Sequence, residues 1–236
     1  MSKSKEVRLI GAWPSPFVIR ARIALNIKSV EYEFLQETFG SKSELLLKSN
    51  PVHKKIPVLL HQDKPICESL IIVQYIDEVW SSGPSILPSD PYDRALARFW
   101  AAYVDEKLFP SMRGISTAQG EEAKKAAIEL FKDVVVVMED AFGKCGKGKV
   151  FFGGEEIGLV DIAFGSMLGW LRVTENMNGV KVFDETTTPK LLGWVERFSA
   201  ADAVKDVMPE TEKLMEFAKL LQAKMRDAAA AAATPK

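Results

Sequence analysis

Residues 7–28 read VRLIGAWPSPFVIRARIALNIK. Val7 to Ile10 is a short apolar run suited to a buried strand, and the strand candidate spans residues 7–13. Residues 16–28 carry Phe17, Ala21, Ala24 and Leu25 at helical spacing, so a helix is expected to start at the Ser15-Pro16 step. Serine at the N-cap followed by proline in the first helical position is a strong start signal. Where a strand turns directly into a helix, the first helical N–H groups and the positive end of the helix dipole face outward, and an anion or thiolate is stabilised there. Ser15 therefore has two readings: a cap and nothing more, or a hydroxyl held against a bound anion. It does not read as a hydrolase nucleophile. WPSPF is not G-x-S-x-G, and the only histidines, His53 and His61, lie in loop-like segments.

The same alternation of signals continues to about residue 80. In VEYEFLQE, residues 30–37, Val30, Tyr32 and Phe34 fall on one side, as in a strand with one buried face. KSELLLKSN reads as a short helix. IPVLL and KPIC read as two short strands around the turn HQDK. SLIIVQYIDEVW then reads as a helix with Ser69 as its N-cap. The order is βαβ followed by αββα. Residues 81–93, SSGPSILPSDPYD, have the proline, glycine and serine content of a linker. Beyond them the pattern is helical: residues 94–108, 121–142, 159–173, 189–199 and 210–229 each carry periodic apolar residues. The terminal AAAAAATPK has helix propensity but nothing to pack against, and is expected to fray.

Composition narrows the function classes. The chain has 236 residues, 47% of them hydrophobic, enough for a substantial core. Lys+Arg number 31 and Asp+Glu 32, so there is no global basic field to hold nucleic acid or an anionic membrane. Cys67 and Cys145 form no CxxC pair and no metal-ligand cluster, and read as buried thiols in a reducing compartment. The start, MSKSKEVRLI, has no apolar core of a secretory signal, and the apolar run at residues 162–171 is too short to span a bilayer. A soluble cytosolic protein is expected.

Further patterns bear on chemistry or rule it out. Ile56-Pro57 opens an apolar strand, either as a plain strand start or as a cis bond that turns the Ile56 backbone toward a ligand. Lys54 and Lys55, and Lys42 upstream, are solvated cations or partners for a carboxylate. Glu68-Ser69 stands at a strand-to-helix junction; beyond capping, the pair suits a zwitterion, with Ser69 taking a carboxylate and Glu68 an ammonium. GKCGKGKV, residues 143–150, resembles a phosphate-binding loop but has Val150 where Ser or Thr should stand and follows a helix, so it is read as a flexible basic loop. Gly158 and Asp161 are placed as N-cap and N3 of a helix, with Ile157 and Ile162 as the staple. Two helical stripes, Phe109 with Arg113 and Phe217 with Leu221 and Lys224, read by default as core faces with snorkelling cations, and Trp170 likewise as core.

WPSPF, NPVHKKIPVLLH and CESLIIVQYIDEVW, in this order and followed by a helical half, resemble a cytosolic glutathione S-transferase, and the plant tau class in particular. The resemblance runs from about Lys5 to Leu221. It implies an α/β thioredoxin-like N-terminal domain over residues 1–83, a linker over 84–92, and an all-α C-terminal domain over 93–236 with a frayed tail. It implies that Ser15 is the catalytic serine. Lys42 and Lys55 would hold the glycine carboxylate of glutathione, Ile56 its cysteinyl backbone ahead of a cis-proline, and Glu68 and Ser69 its γ-glutamyl end. The acceptor pocket would be built from Phe17, Phe109, Arg113, Trp170, Phe217, Leu221 and Lys224. Glutathione is a co-substrate in this family, with no cofactor or metal; a homodimer acting on small hydrophobic electrophiles is expected, as in detoxification and herbicide conjugation. One departure is Gly158, where the tau pattern has Ser or Thr. Two rival readings share the fold. A non-catalytic carrier of large apolar ligands would use the same pocket. A thiol-disulfide reductase needs Cys at position 15, which Ser15 opposes.

Overall fold

The computed structural model describes residues 6–233, with side chains to residue 224. Four strands, β1 (Val7–Gly11), β2 (Glu33–Gln36), β3 (Val58–His61) and β4 (Lys64–Cys67), form one sheet in the order β2-β1-β3-β4. β1 runs parallel to β2, with Leu9 opposite Phe34, and antiparallel to β3, with Leu9 opposite Leu59. A parallel neighbour requires a crossover, which α1 (Pro16–Ile27) provides. The period of two divides the sheet's faces. Val7, Leu9 and Leu59 join the main core with α1 and α3 (Ser69–Val79), while Ile10, Val58 and Leu60 pack on Leu46 of α2 (Glu44–Ser49). Val30, Tyr32 and Phe34 pack on the main core as the alternation implies, although the strand itself is only four residues long. This mixed sheet beside an all-helical remainder is the α/β-plus-α class expected from the sequence.

The helical part comprises α4 (Pro91–Tyr103), α5 (Phe109–Thr117), α6 (Glu121–Cys145), α7 (Leu159–Gly165), α8 (Leu168–Asn178), α9 (Pro189–Ala200), α10 (Asp202–Lys205) and α11 (Thr211–Ala233). Its centre is a stack of Phe164, Trp194 and Phe198, with ring centroids 4.9 and 5.4 Å apart. Gly165 is required beneath it, because a Cβ there would lie 2.2 Å from the Phe198 ring.

Several boundaries differ from expectation, each for a local reason. α4 starts at Pro91, inside the expected linker, because Asp90 Oδ1 accepts from the N–H groups of Tyr92 and Asp93 at 2.9 Å and Pro91 fits the first helical position. The helix expected to end at residue 108 instead passes through a π turn, Val104–Leu108, into α5; the widened turn precedes Pro110, which lacks the N–H of an ordinary α-turn. The single helix expected over 159–173 breaks between α7 and α8. There Ser166 Oγ donates to the Ala163 carbonyl at 3.0 Å and Arg20 Nη2 donates to the same carbonyl at 3.0 Å, so side chains replace the backbone ladder. Of the expected loop at 143–150, the first three residues end α6, and Lys147 and Lys149 are tied by ion pairs to Asp93 and Glu155. Both cysteines are free and half-buried rather than buried; burial raises each thiol above its ordinary value, which makes both poor nucleophiles. α11 extends past residue 229, and the last residues of the tail, where fraying is expected, lie outside the described residues.

Candidate active site

A cleft of about 820 Å³ lies between the sheet and the helical part. Its sheet-side wall begins at the turn from β1 into α1. Gly11 ends β1 because a Cβ there would sit 2.5 Å from Val18 Cγ1, and its absence lets α1 lie close over the strand. The Ser15 N–H donates to the Ala12 carbonyl at 3.1 Å and closes the turn. From across the cleft, Trp170 Nε1 on α8 donates to the Pro14 carbonyl at 2.7 Å. Trp13 packs edge-on against Phe217 of α11 at 5.6 Å, and Lys213 Nζ lies 5.0 Å over the Trp13 ring. The turn carrying Ser15 is thus pinned by two helices distant in sequence.

Ser15 is half-buried and lines the cleft. Its Oγ accepts from the Val18 N–H at 3.4 Å, while the same N–H reaches the Ser15 carbonyl at 3.1 Å. The side-chain cap is long and shared, so it is a weak bond. Its hydroxyl proton is not used in that contact and can be donated into the cleft. Phe17, Lys42, Lys55 and Ile56 line the same side, and the Ile56-Pro57 peptide is cis. Asn50, buried at 3% exposure, shapes this loop: its side-chain amide donates to the Lys55 carbonyl at 2.9 Å and its Oδ1 accepts from the His53 N–H at 3.1 Å.

On the helical side the cleft meets Phe109, Arg113, Trp170, Phe217 and Leu221. Phe109 packs edge-on against Phe17 at 5.0 Å, joining the two walls at the cleft's base. Phe39, in the loop between β2 and α2, reaches Phe217 at 4.6 Å and bridges the walls again. Nothing in the sequence marks Phe39, a lone aromatic between polar residues.

Three expected site residues lie outside the cleft lining: Glu68, Ser69 and Lys224. Lys224 is exposed on α11. Glu68, not Ser69, is the N-cap residue of α3. Its φ of 71° is unfavourable for a residue with a side chain, and it lets the Glu68 carbonyl accept from the Ile72 N–H at 2.8 Å while the side chain stays half exposed, 4.0 Å from His53 Nε2. Ser69 is the first helical residue, and its Oγ accepts from Arg20 Nη1 at 3.2 Å.

Arg20 itself is a residue that the helical pattern of α1 does not single out. It is fully buried. Its guanidinium pairs with both oxygens of Asp105, at 3.0 and 2.6 Å, and bonds Ser166 Oγ at 3.3 Å. It also lies 5.0 Å from the Phe17 ring centroid. One cation thereby fixes α1, α3, the π turn and α7 around the base of the cleft. Asp105 reaches it from the π turn, while Phe109 and Arg113, one and two turns later, face the cleft.

Comparison with known proteins matches residues 5–78 to the glutathione S-transferase N-terminal domain and residues 121–197 to the glutathione S-transferase C-terminal domain. Glutathione S-transferase U17 of Arabidopsis thaliana is 66% identical over 217 residues, covering 92% of this chain and 96% of that protein. A solved tau-class glutathione S-transferase from mango, Mangifera indica, is 70% identical, with a TM-score of 0.90 over 93% of this chain and 100% of that one. Rice GST1, solved in complex with glutathione, is 38% identical, with a TM-score of 0.86 over 94% of this chain and 100% of that one.

Proposed function

This chain belongs to the glutathione S-transferase family, and we propose that it uses Ser15 to hold glutathione as a thiolate for attack on apolar electrophiles bound in the cleft between its two walls. It is a tau-class glutathione transferase, and glutathione is its substrate. The observation that carries the residue assignment is the position of Ser15: on the cleft, at the start of a 12-residue helix, with a hydroxyl only weakly engaged by the backbone.

The chemistry follows from the thiol. A cysteine thiol near 8.5 is mostly protonated at neutral pH, and its thiolate is the nucleophile. Lowering that pKa by one unit requires about 1.4 kcal/mol of preference for the charged form. A hydrogen bond donated to a charged sulfur contributes about 1.5–3 kcal/mol, and the helix N-terminus about 0.3–1 kcal/mol. Together they lower the thiol by about one to three units. Ser15 acts as donor, not as base or nucleophile.

In this reading the rest of glutathione is held by charge and backbone. Lys42 and Lys55 take the glycine carboxylate and Ile56 the cysteinyl backbone. Glu68 and Ser69 take the γ-glutamyl end; Arg20, through its bond to Ser69, positions that hydroxyl. Phe17, Phe109, Arg113, Trp170, Phe217 and Leu221 form the acceptor wall. Lys224, exposed and away from the lining, is left at its margin. The division into residues 1–83, 84–92 and 93–236 assigns glutathione to the first part and the acceptor to the last. The carrier role has no observation in its favour.

Phe217 distinguishes pocket from core. Its ring is half-buried between Trp13, Phe39 and Trp170. Truncating a fully packed phenylalanine costs about 3–5 kcal/mol. Phe217→Ala is expected to cost clearly less, to shift relative kcat/KM across aryl halides of increasing size, and to leave glutathione KM near wild type. A large fall in melting temperature with an unchanged order of acceptors means that Phe217 is core.

The homodimer and the cytoplasmic location are part of the same reading. Phe99 on α4, Leu130 on α6 and Ile71 on α3 are large apolar residues more than half exposed, which suits burial against a second copy. Sedimentation equilibrium should give twice the chain mass; a single-chain mass at micromolar concentration contradicts the dimer. Among the described residues no helix is long and apolar enough to cross a membrane.

A further inference from the structure

The charge on the cleft exceeds what glutathione calls for. Five cations line it: Lys42, Lys54 and Lys55 on the sheet side, and Arg113 on α5 and Lys124 in the first turn of α6 on the helical side. Among the described residues the one carboxylate lining the cleft is Glu37. Both of its oxygens are engaged by Ser43, from the N–H at 3.0 Å and from Oγ at 2.5 Å. Arg113 and Lys124 have no carboxylate partner among the described residues, and no carboxylate of the helical part lines the cleft beside them. The Arg113 guanidinium stands 5.9 Å from the Phe109 ring centroid, so a cation and an apolar surface adjoin on the acceptor wall.

Glutathione's carboxylates are assigned to the other wall, which leaves these two cations facing the acceptor. We propose that the acceptor electrophiles of this enzyme include amphipathic molecules with an apolar body and an anionic head, the body on Phe109 and Phe217 and the head on Arg113 and Lys124. The inference rests on the transferase reading and adds the substrate class. The reaction is a substitution: the thiolate sulfur forms a bond to the electrophilic carbon, the halide leaves with its electron pair, and the thiol proton goes to solvent. Arg113 is exposed and Lys124 half-buried, and a cation beside an apolar wall selects for anionic acceptors through both affinity and capture.

Two acceptors with the same reacting ring and leaving group test this: 4-chloro-3,5-dinitrobenzoate, an anion at neutral pH, and 4-chloro-3,5-dinitrobenzamide, which is neutral. The readout is kcat/KM divided by the uncatalysed rate constant for each, taken as the benzoate-to-benzamide ratio. The wild-type ratio is expected to exceed one and to fall as ionic strength rises. In Lys124→Gln it is expected to fall by about fivefold, as for loss of one partly solvated charge-assisted bond, and Lys124→Arg should restore it. A wild-type ratio at or below one overturns the proposal, as does a ratio that Lys124→Gln leaves unchanged. If Lys124→Gln does not fold, a wild-type ratio insensitive to salt overturns it equally. Turnover of 1-chloro-2,4-dinitrobenzene runs alongside: its absence defeats the transferase reading itself, whereas its presence without a benzoate preference defeats only the anion subsite.

Discussion

Ser15→Ala is expected to lower kcat/KM for conjugation of glutathione to 1-chloro-2,4-dinitrobenzene at neutral pH by about ten- to a hundredfold, the loss set by one charge-assisted hydrogen bond of about 1.5–3 kcal/mol at 1.36 kcal/mol per decade. Glutathione affinity should change little, because Lys42, Lys55, Ile56, Glu68 and Ser69 are assigned to the remainder of the tripeptide. Folding should be nearly unaffected. The capping bond lost is 3.4 Å long, and its donor, the Val18 N–H, keeps the Ser15 carbonyl at 3.1 Å. A weak cap of this kind is worth less than the about 1 kcal/mol typical of serine caps. Steady-state kinetics with both substrates varied checks all three statements. A raised glutathione KM with unchanged kcat would place the hydroxyl on the tripeptide rather than on sulfur.

The largest effect on stability is expected far from the cleft, at Asp161. This carboxylate is fully buried and accepts four hydrogen bonds. Oδ1 takes the Phe152 N–H at 2.9 Å and Trp194 Nε1 at 2.7 Å; Oδ2 takes the N–H groups of Gly153 and Gly158, both at 2.9 Å. Burial pushes its carboxyl up to about 6, against the opposing pull of those donors, so it is ionised at neutral pH. Asp161→Asn keeps the shape but turns one acceptor into an N–H₂ group facing two donors. Breaking a buried charged network in this way costs about 3–5 kcal/mol. The melting temperature should fall by about 10 °C, at 2–4 °C per kcal/mol for a chain of this size. Urea unfolding of the two proteins measures it; a difference below about 1 kcal/mol would show that the network is not a keystone. The same site accounts for Gly158 in place of the Ser or Thr of the tau pattern. A Cβ there would lie 2.8 Å from Gly153 Cα, so the close approach of the two loops excludes a side chain, and only the half of the capping box supplied by Asp161, which accepts from the Gly158 N–H at 2.9 Å, is kept.

What the sequence revealed and what it concealed divide along sequence separation. The β1–α1 junction, the one-sided pattern of Val30, Tyr32 and Phe34 and the paired strands around residues 61–64 are set by near neighbours, and periodicity exposes them. From the sequence Ser69 reads as the cap, one position beyond the actual cap Glu68, because serine is a good capping residue and nothing local announces that Glu68 adopts a φ of 71°. The break after Gly165 rests partly on the local bond from Ser166 to the Ala163 carbonyl and partly on Arg20, 146 residues from Ser166 in the chain, which nothing local announces. Arg20 looks like any helix-face arginine until Ser69, Asp105, Ala163 and Ser166 are brought around it. Phe39 and the bond from Trp170 to the Pro14 carbonyl arise only when the helical part closes over the sheet. The helical wall of the cleft is the least legible part for the same reason: Phe109 and Phe217 carry the periodicity of core residues, and only their place on the cleft lining distinguishes them.

The most direct test of Ser15 as the donor to sulfur is the pKa of the bound glutathione thiol, followed by ultraviolet thiolate absorbance against pH in wild type and in Ser15→Ala. The wild-type complex should titrate about one to three units below the ordinary thiol value near 8.5, and the Ser15→Ala complex should move most of the way back. Equal values in the two complexes would contradict the account, leaving Ser15 a helix cap and nothing more.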